Sequence, residues 1–310
     1  MQTKDFGLRT FFKEAQMETR VEHSKENLDF TIQRSAWVNE RFIPEGEFDL
    51  HFEEFERNGF TILENRLSKE EIAHAKDTID RVYDEQVKEM GGEADLIEIG
   101  EHGLARNLLQ YDEFFLKLIA HPDVMAFGKH FLGEYFSLFQ FNGNLNPPKL
   151  PATSTPWHRD LTFRHFTSSR PLGFTTIWVL DDFTQENDGV YYLPGTHKHD
   201  AFPSFEYVDK FQQKLFVKAG SAIVLDGMMF HRSGFNNTDH RRRICQGMYT
   251  LPFIGQQICI PETVSEKYKE DSVLRQLLGY NSMQQSSVID WRKEKLENKR
   301  KNLQGNMVQY

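Results

Sequence analysis

Two rhythms of apolar residues divide the chain. From Ser68 to Leu132 the spacing is helical. Ile72, Ala75, Ile79, Val82 and Tyr83 fall on one face of a helix. Ser68 and Glu71 form a capping box at its start, Leu67 can staple onto Ile72, and Gly91-Gly92 stops it. A second helix is predicted from Asp112 through Phe115, Leu118 and Ile119, ending before Pro122. A third runs from Asp123 through Phe127 to Leu132 and stops at Gly133. Ahead of these helices, Asn58-Gly59 precedes a short buried strand at Thr61-Ile62-Leu63.

After Gly133 the rhythm changes. Short apolar or alternating segments recur at 135–144, 175–180, 190–193, 214–217, 221–225 and 244–251, separated by Gly, Pro and Asn. Strands of that length and spacing predict a β-sandwich or barrel. From about Glu262 the chain becomes helical and charged again, reaching Trp291-Arg292-Lys293-Glu294-Lys295. Both signs mix there, which reads as a solvated helix. The expected organisation is an N-terminal extension at 1–48 that can wrap the body, a domain at 49–285 and a charged tail at 286–310. Within the domain, 49–133 is helical and 134–262 is the β core. There is no internal repeat and no low-complexity tract.

Composition narrows the function classes. The 310 residues are enough for a sizeable core. The apolar fraction of 39%, with 27 Phe, fits a globular protein. A formal charge of −9 with no long basic run argues against a nucleic-acid surface and a polybasic membrane anchor. Cys245 and Cys259 make neither a disulfide framework nor a zinc spacing, so a reducing compartment is expected. The start, Met1-Gln2-Thr3-Lys4-Asp5, has no apolar leader, and no stretch reaches transmembrane length. The end, Met307-Val308-Gln309-Tyr310, is not a peroxisomal address. The expectation is a cytoplasmic protein acting on a small molecule, with no nucleic-acid or membrane partner and an open oligomeric state.

The chemistry concentrates at Trp157-His158-Arg159-Asp160, His231 and Arg242. On a strand, positions i and i+2 point to one side, so His158 and Asp160 share a face. The segment 221–231 reads as a strand and turn that presents His231. Two imidazoles and a carboxylate form the facial triad of non-haem iron sites, with open positions for other ligands. A lone His-x-Asp is weak evidence; the joint pattern is much more specific. Arg242 lies eleven residues past His231, suited to hold a carboxylate in a fork-to-fork pair. Alternation turns Arg241 and Arg243 the other way; the bland alternative for the three is a basic surface run. Gln140, Asn142 and Asn144 alternate on one predicted strand and can face a polar pocket, or mark an edge strand. Trp178 can wall the pocket or belong to the core. Trp157, Phe163 and Phe166 can line the substrate side or pack in the core, and Arg106 is a further substrate-contact candidate. His197 and His199 form a second i, i+2 pair, read as structural.

Taken together these motifs resemble the phytanoyl-CoA dioxygenase family. The carriers are Trp157-His158-Arg159-Asp160, Ile177-Trp178-Val179-Leu180-Asp181-Asp182, Glu186-Asn187-Asp188-Gly189, Pro194-Gly195-Thr196-His197, and His231-Arg232-Ser233-Gly234-Phe235-Asn236 followed by Arg242. Phe55-Glu56-Arg57-Asn58-Gly59-Phe60 and Leu274-Arg275-Gln276-Leu277-Leu278-Gly279-Tyr280 are similar to the family's opening and closing segments, so the resemblance spans roughly 50–285. It implies a mainly β fold with flanking helices, a double-stranded β-helix or cupin-like jelly roll. It implies Fe(II), 2-oxoglutarate and O2 as the cofactor set. His158, Asp160 and His231 would be the iron ligands and the catalytic centre. Arg242 and Ser233 would hold 2-oxoglutarate, with Gln140, Asn144 and Trp178 beside them. The expected reaction is hydroxylation of an unactivated C–H bond, with release of succinate and CO2. Desaturation, epoxidation and ring formation remain open. Asp160 disfavours halogenation, because halogenases of this superfamily lack the carboxylate ligand. The chain shows no evident basic cluster for coenzyme A phosphates. A small metabolite, such as an amino-acid derivative or natural-product intermediate, is therefore favoured over an acyl-CoA. A zinc hydrolase or isomerase and a non-catalytic binding barrel are the rivals from other classes.

Overall fold

The structure is a computed structural model that describes residues 44–161 and 166–303. Most of the expected N-terminal extension, Phe163 and the last seven residues lie outside the described residues.

The helical layer comes first in the chain. Helix α1 (Glu47–Asn58) closes at Gly59, whose φ of 88° lets its N–H reach the Phe55 carbonyl. A side chain there would be strained, and its Cβ would stand 2.7 Å from His197 Nδ1. The chain turns straight into β1 (Phe60–Leu63). Helix α2 (Lys69–Glu89) starts at the capping box, with Ser68 Oγ accepting from Glu71 N at 3.2 Å and the Glu71 carboxylate accepting from Ser68 N at 2.9 Å. Its buried stripe is Ala75, Thr78, Ile79, Val82 and Tyr83. Short α3 (Glu93–Glu98) and β2 (Leu104–Ala105) follow. Ahead of helix α4 (Phe114–Ile119), Asp112 Oδ1 accepts from Phe114 N at 2.8 Å, although Glu113 is the N-cap, and α5 (Pro122–Leu132) opens with Pro122 in its first turn.

The β core consists of two antiparallel sheets. Its strands are β3 (Ser137–Asn146), β4 (Gly173–Val179), β5 (Val190–Tyr192), β6 (Gln213–Leu215), β7 (Ala222–Asp226), β8 (His231–Ser233) and β9 (Arg242–Thr250). The large sheet has the order β1-β7-β4-β9-β3-β2, and the small one β6-β5-β8. Helix α6 (Phe205–Phe211) lies in the chain between β5 and β6. Ile177, Val179, Ile223, Leu225 and Ile244 of the large sheet meet Val190, Tyr192, Leu215 and Val217 in one buried cluster. The opposite face of the large sheet, with Phe141, Leu145, Phe174, Trp178, Cys245 and Tyr249, packs into a second cluster with Ile79, Phe115 and Phe127 of the helices. A bulge between Leu138 and Gln140 lets Leu138 and Phe141 both join that helical side. This is the jelly roll with flanking helices that the sequence suggests.

Helix α7 (Ser272–Leu277) and the charged α8 (Val288–Leu303) complete the described chain. Strands β2 and β8 were not expected: Leu104-Ala105 is too short to show a period, and His231-Arg232-Ser233 is polar. No helix among the described residues is long and apolar enough to cross a membrane.

Candidate active site

The site forms where a turn returns the chain from the large sheet to the small one. At the end of β7, Asp226 Oδ1 accepts from Met228 N at 2.8 Å and its carbonyl accepts from Met229 N at 2.9 Å. The turn delivers His231 to β8. There His231 and His158 exchange both backbone hydrogen bonds, at 3.0 and 3.1 Å. This antiparallel bridge brings the two rings to a centroid separation of 4.4 Å. Asp160, on the same face as His158, places Oδ1 3.6 Å from His231 Nε2 and 4.0 Å from His158 Nε2. One donor atom from each of the three residues lies within 4.8 Å of the others. Among the described residues no other group has such a geometry.

The orientation of each donor is fixed from behind. His158 Nδ1 donates to the Pro156 carbonyl at 2.8 Å, and His231 Nδ1 donates to the Met229 carbonyl at 3.0 Å. A carbonyl only accepts, so each Nδ1 carries the proton and each Nε2 lone pair is left for a metal. Asp160 Oδ2 accepts from the Thr175 hydroxyl at 2.5 Å, which leaves Oδ1 for the same centre. Burial and the neighbouring His231 push His158 down to about 4, against the opposing pull of Asp160. It is therefore neutral at physiological pH, the state a metal ligand requires.

The loop Pro194-Gly195-Thr196-His197 ties the ligand segments together. Thr196 Oγ1 accepts from Phe230 N at 3.2 Å, one residue before His231. Arg159, between His158 and Asp160, donates to the carbonyls of Thr196, His199 and Asp200 and stacks 3.9 Å over the Phe230 ring. His197 donates from Nε2 to the Glu56 carbonyl at 3.1 Å, and burial lowers it to about 4. It serves the scaffold and is not part of the metal-binding group.

A cavity opens between Ser233 of β8 and Arg242 of β9. Arg242, Ser233, Asn144, His102, Phe183 and Ile244 line it. Ser233 follows His231 at i+2, so it shares that residue's face. The Arg242 guanidinium is 4% exposed and donates to the Asn187 carbonyl at 2.5 Å. Among the described residues no carboxylate lies within ion-pairing distance of it. Burial lowers Arg242 to about 10, against the attraction of Asp188 and Asp181, so it stays cationic near neutrality. Its neighbours point away as alternation requires: Arg243 pairs with Asp80 at 2.8 Å and Asp181 at 3.2 Å, and Arg241 approaches Asp80 at 3.8 Å.

Other expected site residues are placed differently. Asn144 lines the Arg242 cavity, whereas Gln140 and Asn142 line a smaller neighbouring one with Gln257 and Ile258. Asn142 is engaged there, its Oδ1 accepting from Asn107 N at 3.0 Å and its Nδ2 donating to Gln140 at 3.1 Å. Trp178 does not wall the cavity. It is 1% exposed on the opposite face of β4, edge-on to His121 with ring centroids 5.2 Å apart. Trp157 packs with Leu193, Val208 and Phe230, on the far side of the strand pair from the imidazoles. Arg106 is held by Glu101 at 2.5 Å and Gln257 at 3.1 Å, which neutralises it as a substrate cation. Phe166 is about half exposed. His102, Ser154 and Thr175 are at the site without having been expected. Thr175 shares its parity with Ile177 and Val179, the one signal that could have found it. His102 and Ser154 arrive on loops, where no period exists to read.

Comparison with known proteins agrees with this arrangement. The family described as phytanoyl-CoA dioxygenase (PhyH) matches residues 55–244. An uncharacterized protein of Mycobacterium bovis is 26% identical over 232 residues, covering 72% of this chain and 84% of its own. The ectoine dioxygenase of Stutzerimonas stutzeri is 24% identical over 180 residues, covering 56% and 57%. Among solved structures, EctD from S. alaskensis with 2-oxoglutarate and 5-hydroxyectoine has a TM-score of 0.53 at 19% identity, over 72% of this chain and 81% of that one. With the match extending from α1 into β9 and the same ligand-bearing strands inside it, the chain belongs to the phytanoyl-CoA dioxygenase family of iron- and 2-oxoglutarate-dependent oxygenases.

Proposed function

We propose that this protein hydroxylates an unactivated C–H bond of a small metabolite, using Fe(II) held by His158, Asp160 and His231 and 2-oxoglutarate held by Arg242 and Ser233. The observation that carries this reading is the buried Arg242 guanidinium. It lacks a carboxylate partner and lines a cavity together with Ser233, two residues past His231 of the three-donor cluster. An uncompensated buried cation is costly, and a dicarboxylate cosubstrate would supply its missing anion. The donor set fits iron as well: two neutral imidazoles and one carboxylate on one face, with the remaining positions open.

When bound, iron and 2-oxoglutarate with O2 supply the oxidising power, giving succinate and CO2 as coproducts. The chain's own residues orient and shield. The Pro156 and Met229 carbonyls hold the imidazole tautomers, and Thr175 holds the Asp160 rotamer. Phe183, Val190 and Ile244 give the cosubstrate cavity apolar walls that strengthen the Arg242 charge.

An amino-acid derivative or a natural-product intermediate is the favoured substrate. Relatives named for such chemistry support it: an ectoine dioxygenase, and an epimerase, SnoN, solved with nogalamycin RO at 18% identity and a TM-score of 0.50. Arg106 and Arg243 offer no free cations for the phosphates of an acyl-CoA, since Arg106 is engaged by Glu101 and Arg243 by Asp80 and Asp181. A complete triad speaks against a non-catalytic barrel. The test is succinate production by Fe(II)-reconstituted protein exposed to O2 across a metabolite library, beside His158→Ala and Arg242→Ala. Turnover stimulated by one compound class and lost in His158→Ala is expected. No succinate with any compound, together with no iron affinity, would contradict the reading.

A further inference from the structure

Alternation along β9 places Arg242, Ile244, Gln246, Met248 and Thr250 on the inner face. Arg242, Ile244, Met248 and Thr250 are buried, and Gln246 alone of the five is half-buried. This opening is not an edge effect. Strand β9 is paired on both sides, and Gln246 stands opposite Asn142 of β3 and Ile177 of β4. The register also sets Gln246 between the two halves of the site. Two residues back, Ile244 lines the cavity that Arg242 and Ser233 share. Two residues on, Met248 pairs with Thr175, whose hydroxyl holds Asp160 Oδ2 at 2.5 Å. Thr175 is thus the diagonal neighbour of Gln246, a relation that long side chains span. The neighbouring amide is committed: Asn142 Oδ1 accepts from Asn107 N at 3.0 Å, and its Nδ2 donates to Gln140 Oε1 at 3.1 Å. Gln246 makes no side-chain hydrogen bond among the described residues. Its acceptor oxygen and two N–H donors are all unused, one rung from the group that holds a metal ligand.

We propose that Gln246 hydrogen-bonds the substrate and sets the position of its reactive carbon at the metal. The inference rests on the functional reading above and narrows its substrate class. The group that Gln246 reads is a neutral carbonyl or hydroxyl close to the C–H bond that is oxidised. On the inner faces of β3, β4 and β9 the only charged side chain is Arg242, which the cosubstrate occupies. A charged substrate group beside Gln246 would leave water without a counter-ion, which is costly. A neutral donor or acceptor finds its complement in the amide, whose two ends offer both kinds of bond. The apolar neighbours Ile177, Ile244 and Met248 bound this amide on its own face, so a substrate lacking the polar group would strand it.

The test reads binding apart from turnover. Anaerobic protein loaded with Fe(II) and 2-oxoglutarate is screened against a metabolite library by ligand-observed NMR, and each binder is titrated by equilibrium dialysis. The parent is compared with Gln246→Leu, which removes the amide at similar volume, and Gln246→Asn, which keeps it one methylene shorter. The expected binders carry a neutral carbonyl or hydroxyl group. Gln246→Leu is expected to weaken them about ten- to a hundredfold, with Gln246→Asn between. Unchanged Fe(II) and 2-oxoglutarate affinity is expected in both variants, which also shows that they fold. On exposure to O2, Gln246→Leu should give less oxidised compound per succinate, because a loosely held substrate leaves cosubstrate decarboxylation uncoupled. Binder affinity within about twofold of the parent would overturn the contact, since water then satisfies the amide. An equal loss of 2-oxoglutarate affinity would also overturn it, by assigning Gln246 to the cosubstrate or the scaffold. A parent that binds Fe(II) and 2-oxoglutarate but none of the neutral carbonyl or hydroxyl compounds overturns the contact and leaves the iron site standing. A parent that binds neither iron nor 2-oxoglutarate removes the functional reading and this contact with it.

Discussion

Strands β3, β4 and β9 send alternate residues into two different surroundings. Outward, Phe141, Leu145, Phe174, Trp178, Cys245 and Tyr249 are buried against the helices. Inward, Asn142, Asn144, Thr175 and Arg242 stand one residue away from these; Asn142, Thr175 and Arg242 are also buried, and Asn144 is half-buried. The outer face is mostly apolar, and its burial against the helices stabilises the fold. The inner face buries polar groups, among them an Arg242 guanidinium without a carboxylate partner, so it costs stability and gains a site. The same backbone serves both, and a shift of one position exchanges a core residue for a chemical one.

The largest effect expected is on the inner face. Asp160→Ala should reduce Fe(II) affinity by more than the roughly 10- to 100-fold cost of losing an outer partner, measured by metal titration of the folded variant. Thr175→Val, which removes only that outer partner, should fall inside this range. On the outer face, Trp178→Ala should cost about 3–5 kcal/mol in denaturant unfolding while leaving iron and 2-oxoglutarate affinity of the folded protein unchanged. Weakened cosubstrate binding with intact stability would reverse the two faces.

At the rim of the sheet, two buried groups give opposite pH dependences. Burial raises Asp226 to about 6 against the pull of the Met228 N–H, Lys198 and Arg159. The folded state then holds a proton that the unfolded chain has lost, so this stabilisation is present in acid and disappears as pH rises through about 6. His197, lowered to about 4, works the other way: stability falls as pH drops from the ordinary imidazole range toward about 4. Asp226→Asn removes the first effect alone. Its stability relative to the parent should rise between pH 4 and 7 by on the order of 3 kcal/mol, followed by unfolding of the metal-free protein at each pH. A pH-independent difference would contradict the burial of an ionising Asp226.

The smallest effects separate adjacent arginines. Arg243→Ala should cost about 1 kcal/mol of stability, because its ion pairs with Asp80 and Asp181 are partly exposed, and should not change 2-oxoglutarate affinity. Arg242→Ala should leave the ligand-free stability level or raised, since an unpaired buried charge is removed, while weakening 2-oxoglutarate.

Much of this was legible before any coordinates. Alternation singled out Arg242 from three consecutive arginines, and the i, i+2 spacing put His158 and Asp160 on one face. Helix α2 was marked at both ends by its cap and its glycines. What alternation does not say is which face is inside. Every residue of β4 is buried, so Trp178 and Thr175 were equally eligible for the pocket, and the helices decided between them. Trp157, open between the substrate side and the core, is decided in a related way: the ligand beside it points inward, so Trp157 packs into the Phe230 cluster. His102 and Ser154 reach the cavity only through long-range closure of loops, which leaves no trace in local pattern.

The central claim is that the triad and Arg242 form one iron and 2-oxoglutarate site. Its most direct measurement is an anaerobic titration of the protein with Fe(II) and then 2-oxoglutarate, following the weak visible charge-transfer band of the chelate. The account predicts a band in the parent protein, none in His158→Ala, and one in Arg242→Ala that needs far more 2-oxoglutarate to develop. Equal iron binding by the parent and His158→Ala, or no band at any 2-oxoglutarate concentration, would contradict it.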